Sequence, residues 1–95
     1  SADGNQATPV IYGDESAPIV IEEYASFTCS HCGHFYKETF PTIKKDYIDT
    51  GKVYYKKHSF VRNTADIAAT QLIQCLPDND TRQRFVKALF DAQDT

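Results

Sequence analysis

The alternation of apolar and polar residues changes period several times along the chain, and each change predicts an element. Residues 1–8 are polar and unpatterned, and they read as a separate N-terminal segment. "PVIYG" (9–13) reads as a short strand, and "GDESAP" (13–18) is turn material closed by Pro18. "IVIEEYAS" (19–26) is an apolar, β-branched run that predicts a buried strand, with Ile19, Ile21, Glu23 and Ala25 on one face. From Cys32 the spacing becomes helical. Cys32, Tyr36, Phe40, Ile43 and Tyr47 recur at intervals of four, four, three and four, which draws one stripe.

Pro41 falls inside that stripe and predicts a kink, because proline removes a backbone donor and crowds the preceding turn. Gly51 supplies a helix stop, and "VYYKKHSF" (53–60) reads as the next strand. Residues 19–60 therefore form a strand–helix–strand unit, which favours parallel pairing with a right-handed crossover. Beyond "VRN", Ala65, Ala68, Ala69, Leu72, Ile73 and Leu76 mark one helical stripe, which Pro77 ends. Asp80 is the expected N-cap of a last helix carrying Phe85, Val86, Leu89 and Phe90. There are no repeats or low-complexity tracts. The fold class is α/β, followed by a helical tail.

Ninety-five residues allow one small domain or part of a larger one. A chain of this length buries only somewhat more than about 60% of its unfolded surface. A net charge of −3 gives no electrostatic reason to expect nucleic acid as a partner. No apolar run approaches the roughly 18 residues of a membrane span. "SADGNQATPV" lacks the basic start and apolar core of a signal peptide, so the expectation is a mature processed chain or a cytosolic one.

The chemistry is concentrated in "FTCSHCGH" (27–34). If Cys29 stands at the helix N-terminus, Cys32 lies one turn on, with α-carbons about 5 Å apart, within disulfide range. Free backbone N–H groups and the helix dipole favour a thiolate on Cys29. Cys32 receives little of this and is the expected less exposed partner. The roles follow: Cys29 attacks and Cys32 resolves. The His31 imidazole can donate a hydrogen bond to the thiolate or add positive charge. A Cys29 pKa lowered by about three units corresponds to roughly 4 kcal/mol, and to about 90 mV of added oxidising potential. Ser30 is permissive. Glu23, six residues before Cys29, is placed beneath the disulfide, where a buried carboxylate has a raised pKa and can exchange protons with Cys32. The alternative is a solvated Glu23 at a strand end.

Other readings compete. Cys29, His31, Cys32 and His34 are all zinc-ligand types. On one helix, however, the cysteines and the histidines point to well-separated sides, at about 100° per residue. Haem attachment requires histidine after the second cysteine, where Gly33 stands. A purely structural thiol pair is the third option. His34 reads as a surface residue. Cys75 reads either as a small buried hydrophobe or as half of a second disulfide whose partner lies beyond residue 95. The lysines of "KKHSF" and "IKKDY" read as solvated, and Tyr54 and Tyr55 as packing residues.

Taken together, "APIVIEEYASFTCSHCGHFYKETFP" and the "GKVYYKKHSF" strand resemble the DsbA-like branch of the thioredoxin superfamily, the bacterial disulfide oxidoreductases. The likeness covers residues 9–61, and residues 62–95 resemble the start of that branch's inserted helical domain. By this resemblance Cys29 matches the nucleophile, Cys32 the resolving cysteine, Glu23 the buried acid and His31 the characteristic histidine. Ser30 stands where many relatives carry proline. The resemblance implies a partial thioredoxin-like fold, a periplasmic location and no cofactor. Reduced secreted proteins are the implied substrates, with a membrane-bound reoxidant. The family's cis-proline loop and last strands have no counterpart among Pro9, Pro18, Pro41 and Pro77, so the expectation is an N-terminal piece of a longer fold. Unpaired edges on strands 19–26 or 53–60 would then favour self-association. A reductase or isomerase, and a non-enzymatic zinc-binding or assembly fragment, are the alternative functions.

Overall fold

The computed structural model describes residues 7–93. The chain runs β1 (Val10–Tyr12), β2 (Ile19–Ala25), α1 (Ser30–Glu38), α2 (Phe40–Ile43), a π-helical turn (Lys44–Ile48), β3 (Val53–Ser59), α3 (Thr64–Cys75) and α4 (Asn79–Ala92). The three-stranded sheet has the order β1-β3-β2. β3 pairs in parallel with β2, Glu23 opposite Lys57, and antiparallel with β1, Tyr12 opposite Tyr55. This is a partial thioredoxin-like fold, with a mixed sheet and four α-helices among the described residues.

The strand–helix–strand unit is present, and its parallel pairing matches the expectation. β2 is not a buried strand, however. It lies at the sheet edge, where Ile19 and Val20 are each 54% exposed, and only Ala25 at its end is fully enclosed. β3 is the central strand, so residues 53–59 have a neighbour on both sides and are not an open edge. On β3 the inward positions are Val53, Tyr55 and Lys57. The lysine is fully buried, which overturns its reading as a solvated side chain.

Helix α1 breaks at Thr39, and Pro41 sits in the first turn of α2, where its missing N–H has no intrahelical partner to lose. The expected stripe then shifts by one residue. The Asp49 N–H reaches the Lys44 carbonyl, a bond of π-type spacing that packs one extra residue into the turn. Ile48 is therefore buried in place of Tyr47, which is half exposed. Gly51 ends the element with φ +81°, as a residue free of Cβ can.

The face of α3 is also rotated from expectation. Asp66, Ala69, Thr70 and Ile73 point inward, whereas Ala65, Ala68 and Leu72 are exposed. The cause is polar: the Asp66 carboxylate is anchored in the interior and turns the helix with it. Cys75 falls on the outer side as an exposed free thiol, not a buried hydrophobe. The N-cap of α4 is Asp78, which accepts from the Thr81 N–H, rather than Asp80, which lies in the first turn.

The core is aromatic. Tyr12, Phe40 and Tyr55 meet edge to face, Tyr36 stacks between Phe40 and Phe90, and Phe27 packs on Phe90. α4 is docked onto β1 by side-chain amides. Asn79 both donates to the Ile11 carbonyl (2.7 Å) and accepts from the Ile11 N–H (2.9 Å), and Gln74 makes the same pair of bonds to Thr8.

Because Asp78 is the cap, Asp78→Ala should lower the denaturation midpoint measurably, whereas Asp80→Ala should leave it close to that of the parent. Urea denaturation of the two variants checks the assignment.

Candidate active site

β2 ends at Ala25 and delivers Ser26, Phe27, Thr28 and Cys29 to the start of α1. Cys29 is the N-cap residue, in extended conformation with φ −82° and ψ 123°. Its carbonyl begins the helix by accepting from the Gly33 N–H at 3.0 Å. Its side chain closes no capping hydrogen bond, but its sulfur stands near the backbone N–H groups of Cys32 and His31. These N–H dipoles, aided by the Cys32 thiol and the positive charge of Arg62, lower the Cys29 pKa against the opposing effect of desolvation. The pKa of Cys32 moves the other way. Burial pushes it up, and the charges of Cys29 and Glu23 add to the rise. Both are half-buried free thiols. Ser30 is exposed at the first helical position. His31 acts on Cys29 through its backbone N–H, a contribution that does not require an imidazole, and its side chain is exposed.

Glu23 is neither a lone buried carboxylate nor a solvated one. It lies on the inner face of β2, 16% exposed, and its Oε1 accepts from Lys57 Nζ at 2.7 Å and from the Tyr55 hydroxyl at 2.6 Å. The parallel register puts Lys57 directly across from it. The Lys57 ammonium has no exposed surface and is surrounded by the rings of Phe40, Tyr36, Phe90 and Tyr55, at 5.0 to 5.8 Å from their centroids. Burial lowers its pKa, while Glu23 and Cys32 pull it back up. The pair and Cys32 thus share one electrostatic environment.

The loop before Cys29 is gripped from α3. Buried Asp66 accepts from the Ser26 hydroxyl (2.7 Å), the Thr28 N–H (3.2 Å) and the Arg62 N–H (2.9 Å). Desolvation opposes its charge, but these donors prevail and hold its carboxyl below the ordinary range. The Arg62 guanidinium donates to Ser26 Oγ and Thr28 Oγ1, which keeps its charge near Cys29. Gln93, just after α4, donates to the Phe27 and Cys29 carbonyls.

The structure sets Cys29 and Cys32 one helical turn apart, with the Glu23 charge acting on Cys32, and leaves Ser30, His31 and His34 exposed. Sequence reasoning missed Lys57, Tyr55, Arg62, Asp66 and Gln93. Two of these had signals: Lys57 lies two residues beyond Tyr55 on the inward face of β3, and Asp66 is in helical step with Ala69, Thr70 and Ile73. Among the described residues, no three Cys, His, Asp or Glu side chains converge as a metal site requires.

The family model described as thioredoxin matches residues 5–95. The chain belongs to the thioredoxin family. Within it, the structural neighbours place the chain in the DsbA-like branch. It is similar to a protein of Rickettsia typhi provisionally named a protein-disulfide oxidoreductase, at 32% identity over 85 residues, covering 90% of this chain and 32% of the relative. The crystal structure of Wolbachia pipientis alpha-DsbA1 superposes with a TM-score of 0.85 at 39% identity, covering 92% of this chain and 44% of that one. BdbD from Bacillus subtilis gives a TM-score of 0.76 at 27% identity, covering 90% and 48%. This thioredoxin-family chain spans about a third of the length of the curated relatives it matches first.

Lys57→Met should cost about 3 kcal/mol, because it leaves Glu23 charged without its cation, and adding Glu23→Leu should recover most of the loss. Chemical denaturation of the single and double variants measures this. Asp66 gives a pH signature. Its carboxyl is depressed in the folded state, so its stabilisation is complete above the unfolded value of about 3.9 and is lost as pH falls through the folded one. Asp66→Asn should flatten stability in that acid window and cost about 2 kcal/mol at neutral pH.

Proposed function

We propose that this chain carries the redox pair of a thiol–disulfide oxidoreductase that donates a disulfide to reduced secreted proteins. The observation that supports this most is the opposite perturbation of two thiols one helical turn apart. Backbone N–H groups stabilise the Cys29 thiolate, and burial with nearby negative charge disfavours a Cys32 thiolate.

In the proposed reaction a substrate thiolate attacks Cys29 Sγ of the Cys29–Cys32 disulfide. The S–S bond breaks, a substrate–Cys29 bond forms, and Cys32 leaves and takes up a proton. Glu23, in the same environment as Cys32, is the proposed proton carrier, with Lys57 and Tyr55 holding its carboxylate in place. A second substrate thiolate then attacks the substrate sulfur of the mixed disulfide and expels Cys29 as a thiolate. The substrate loses two electrons and the redox pair gains them. The favourable setting of the Cys29 thiolate makes the reduced form the more stable one, which supports the oxidising direction. His31 contributes its backbone N–H to this setting, and Ser30 holds the other intervening position. The cycle closes through a membrane-bound reoxidant in the bacterial periplasm. Among the described residues, no helix is long and apolar enough to cross a membrane.

The test is the ultraviolet thiolate absorbance of the reduced chain against pH, joined to its reduction potential in glutathione buffers. The expected result is a transition well below the ordinary cysteine value of about 8.5 that disappears in Cys29→Ser, with a potential above that of the glutathione pool. An unshifted transition would remove the proposal, and a lower potential would reverse its direction. Glu23→Gln should lower the second transition, that of Cys32, because it takes away a negative charge.

A further inference from the structure

The geometry points to Gln93 as a positioning residue for the Cys29 sulfur, an inference that rests on the redox role proposed above. Residues 26–29 form a turn before α1, closed by the Cys29 N–H on the Ser26 carbonyl at 3.2 Å, and side chains from α3 and the end of α4 hold it. One side is taken by Asp66, which accepts from the Ser26 hydroxyl and the Thr28 N–H. On the other, Gln93 Nε2 donates to the Phe27 carbonyl at 2.7 Å and to the Cys29 carbonyl at 3.1 Å. A primary amide has two N–H bonds, and both are used.

The Cys29 carbonyl is also the first acceptor of α1, taking the Gly33 N–H. A second donor on it fixes the peptide plane between Cys29 and Ser30. That plane sets the direction of the Cys29 side chain relative to the N–H groups of His31 and Cys32, which hold the thiolate. Gly33 completes the arrangement. It is buried, and the three nearest atoms to a Cβ at this position all belong to the Gln93 side chain. The glycine therefore leaves the space in which the amide lies. Through this contact the end of α4 bears directly on the redox turn, in a way that neither packing nor net charge supplies.

Gly33→Ala in the full chain displaces a flexible amide rather than backbone, so it tests the contact without removing Gln93. The readout is the rate of Cys29 alkylation by iodoacetamide against pH, in a background lacking Cys32 and Cys75 thiols. Gly33→Ala and Gln93→Ala are each expected to move the profile upward and to slow alkylation at mildly acidic pH by about threefold. Gln93→Glu, which has the same length but lacks the donors when ionised, should do the same. The double variant Gly33→Ala/Gln93→Ala should match Gln93→Ala alone, because the added methyl then has nothing to displace. Unchanged profiles in variants that still unfold cooperatively, or additive effects in the double variant, overturn the inference. Disulfide donation to a reduced peptide, measured on the parent chain, decides the proposed function separately. A parent that donates no disulfide but shows the expected alkylation shifts keeps the positioning role and loses the oxidoreductase reading.

Discussion

The structure depends on a buried charge. Lys57 stands on the central strand with no exposed surface, and an ammonium in that position requires a counter-charge. Glu23 supplies it from the adjacent strand, in the register that places the two α-carbons opposite each other. A slip of one residue would send Lys57 to the other face of the sheet and separate the pair. The aromatic rings of α1, α2, β3 and α4 close around the same ammonium, so one interaction ties the strand register to the helical layer. Since β2 ends two residues after Glu23, its register also determines where the chain delivers Cys29.

The difference between the two cysteines follows from this placement more than from the residues between them. Cys29 is at the very start of a helix whose N–H groups lack intrahelical partners, and Cys32 is one turn deeper, toward the Glu23 carboxylate. The same thiol group is thus stabilised as an anion in one position and disfavoured in the other. Arg62 adds to the contrast, and its guanidinium is kept near by the very hydroxyls that Asp66 helps to orient.

Much of this was legible in the pattern of the chain. The strand–helix–strand order, the cysteine at a helix start and the proline break all follow from local physics, and local physics is what a single sequence expresses best. Several of the departures originate in long-range polar contacts. The face of α3 was read from its alanines and leucine, but the buried Asp66 outweighs several weak apolar preferences. Lys57 was read as a surface charge because its residue type is rarely buried, although its step with Tyr55 pointed inward. Glu23 was noted for its place on the inner face of the strand, but its partner lies 34 residues away, beyond any local pattern. The exposure of β2 reflects its place in the sheet, which its composition does not encode. The switch from Tyr47 to Ile48 needed knowledge of a π turn that no residue type announces.

Side-chain amides cover the backbone at Ile11 of β1 and at Thr8 just before it, which makes the two margins of the sheet unequal. A bare strand edge presents N–H and C=O groups that can recruit another strand. At Ile11 those groups are already occupied by Asn79, and at Thr8 by Gln74, so α3 and α4 imitate a neighbouring strand without providing one. The opposite margin of the sheet is formed by β2. That margin runs from the exposed Ile19 and Val20 at one end to the approach to Cys29 at the other. The exposed apolar edge of the sheet and the approach to the reactive sulfur thus share a single border of the molecule.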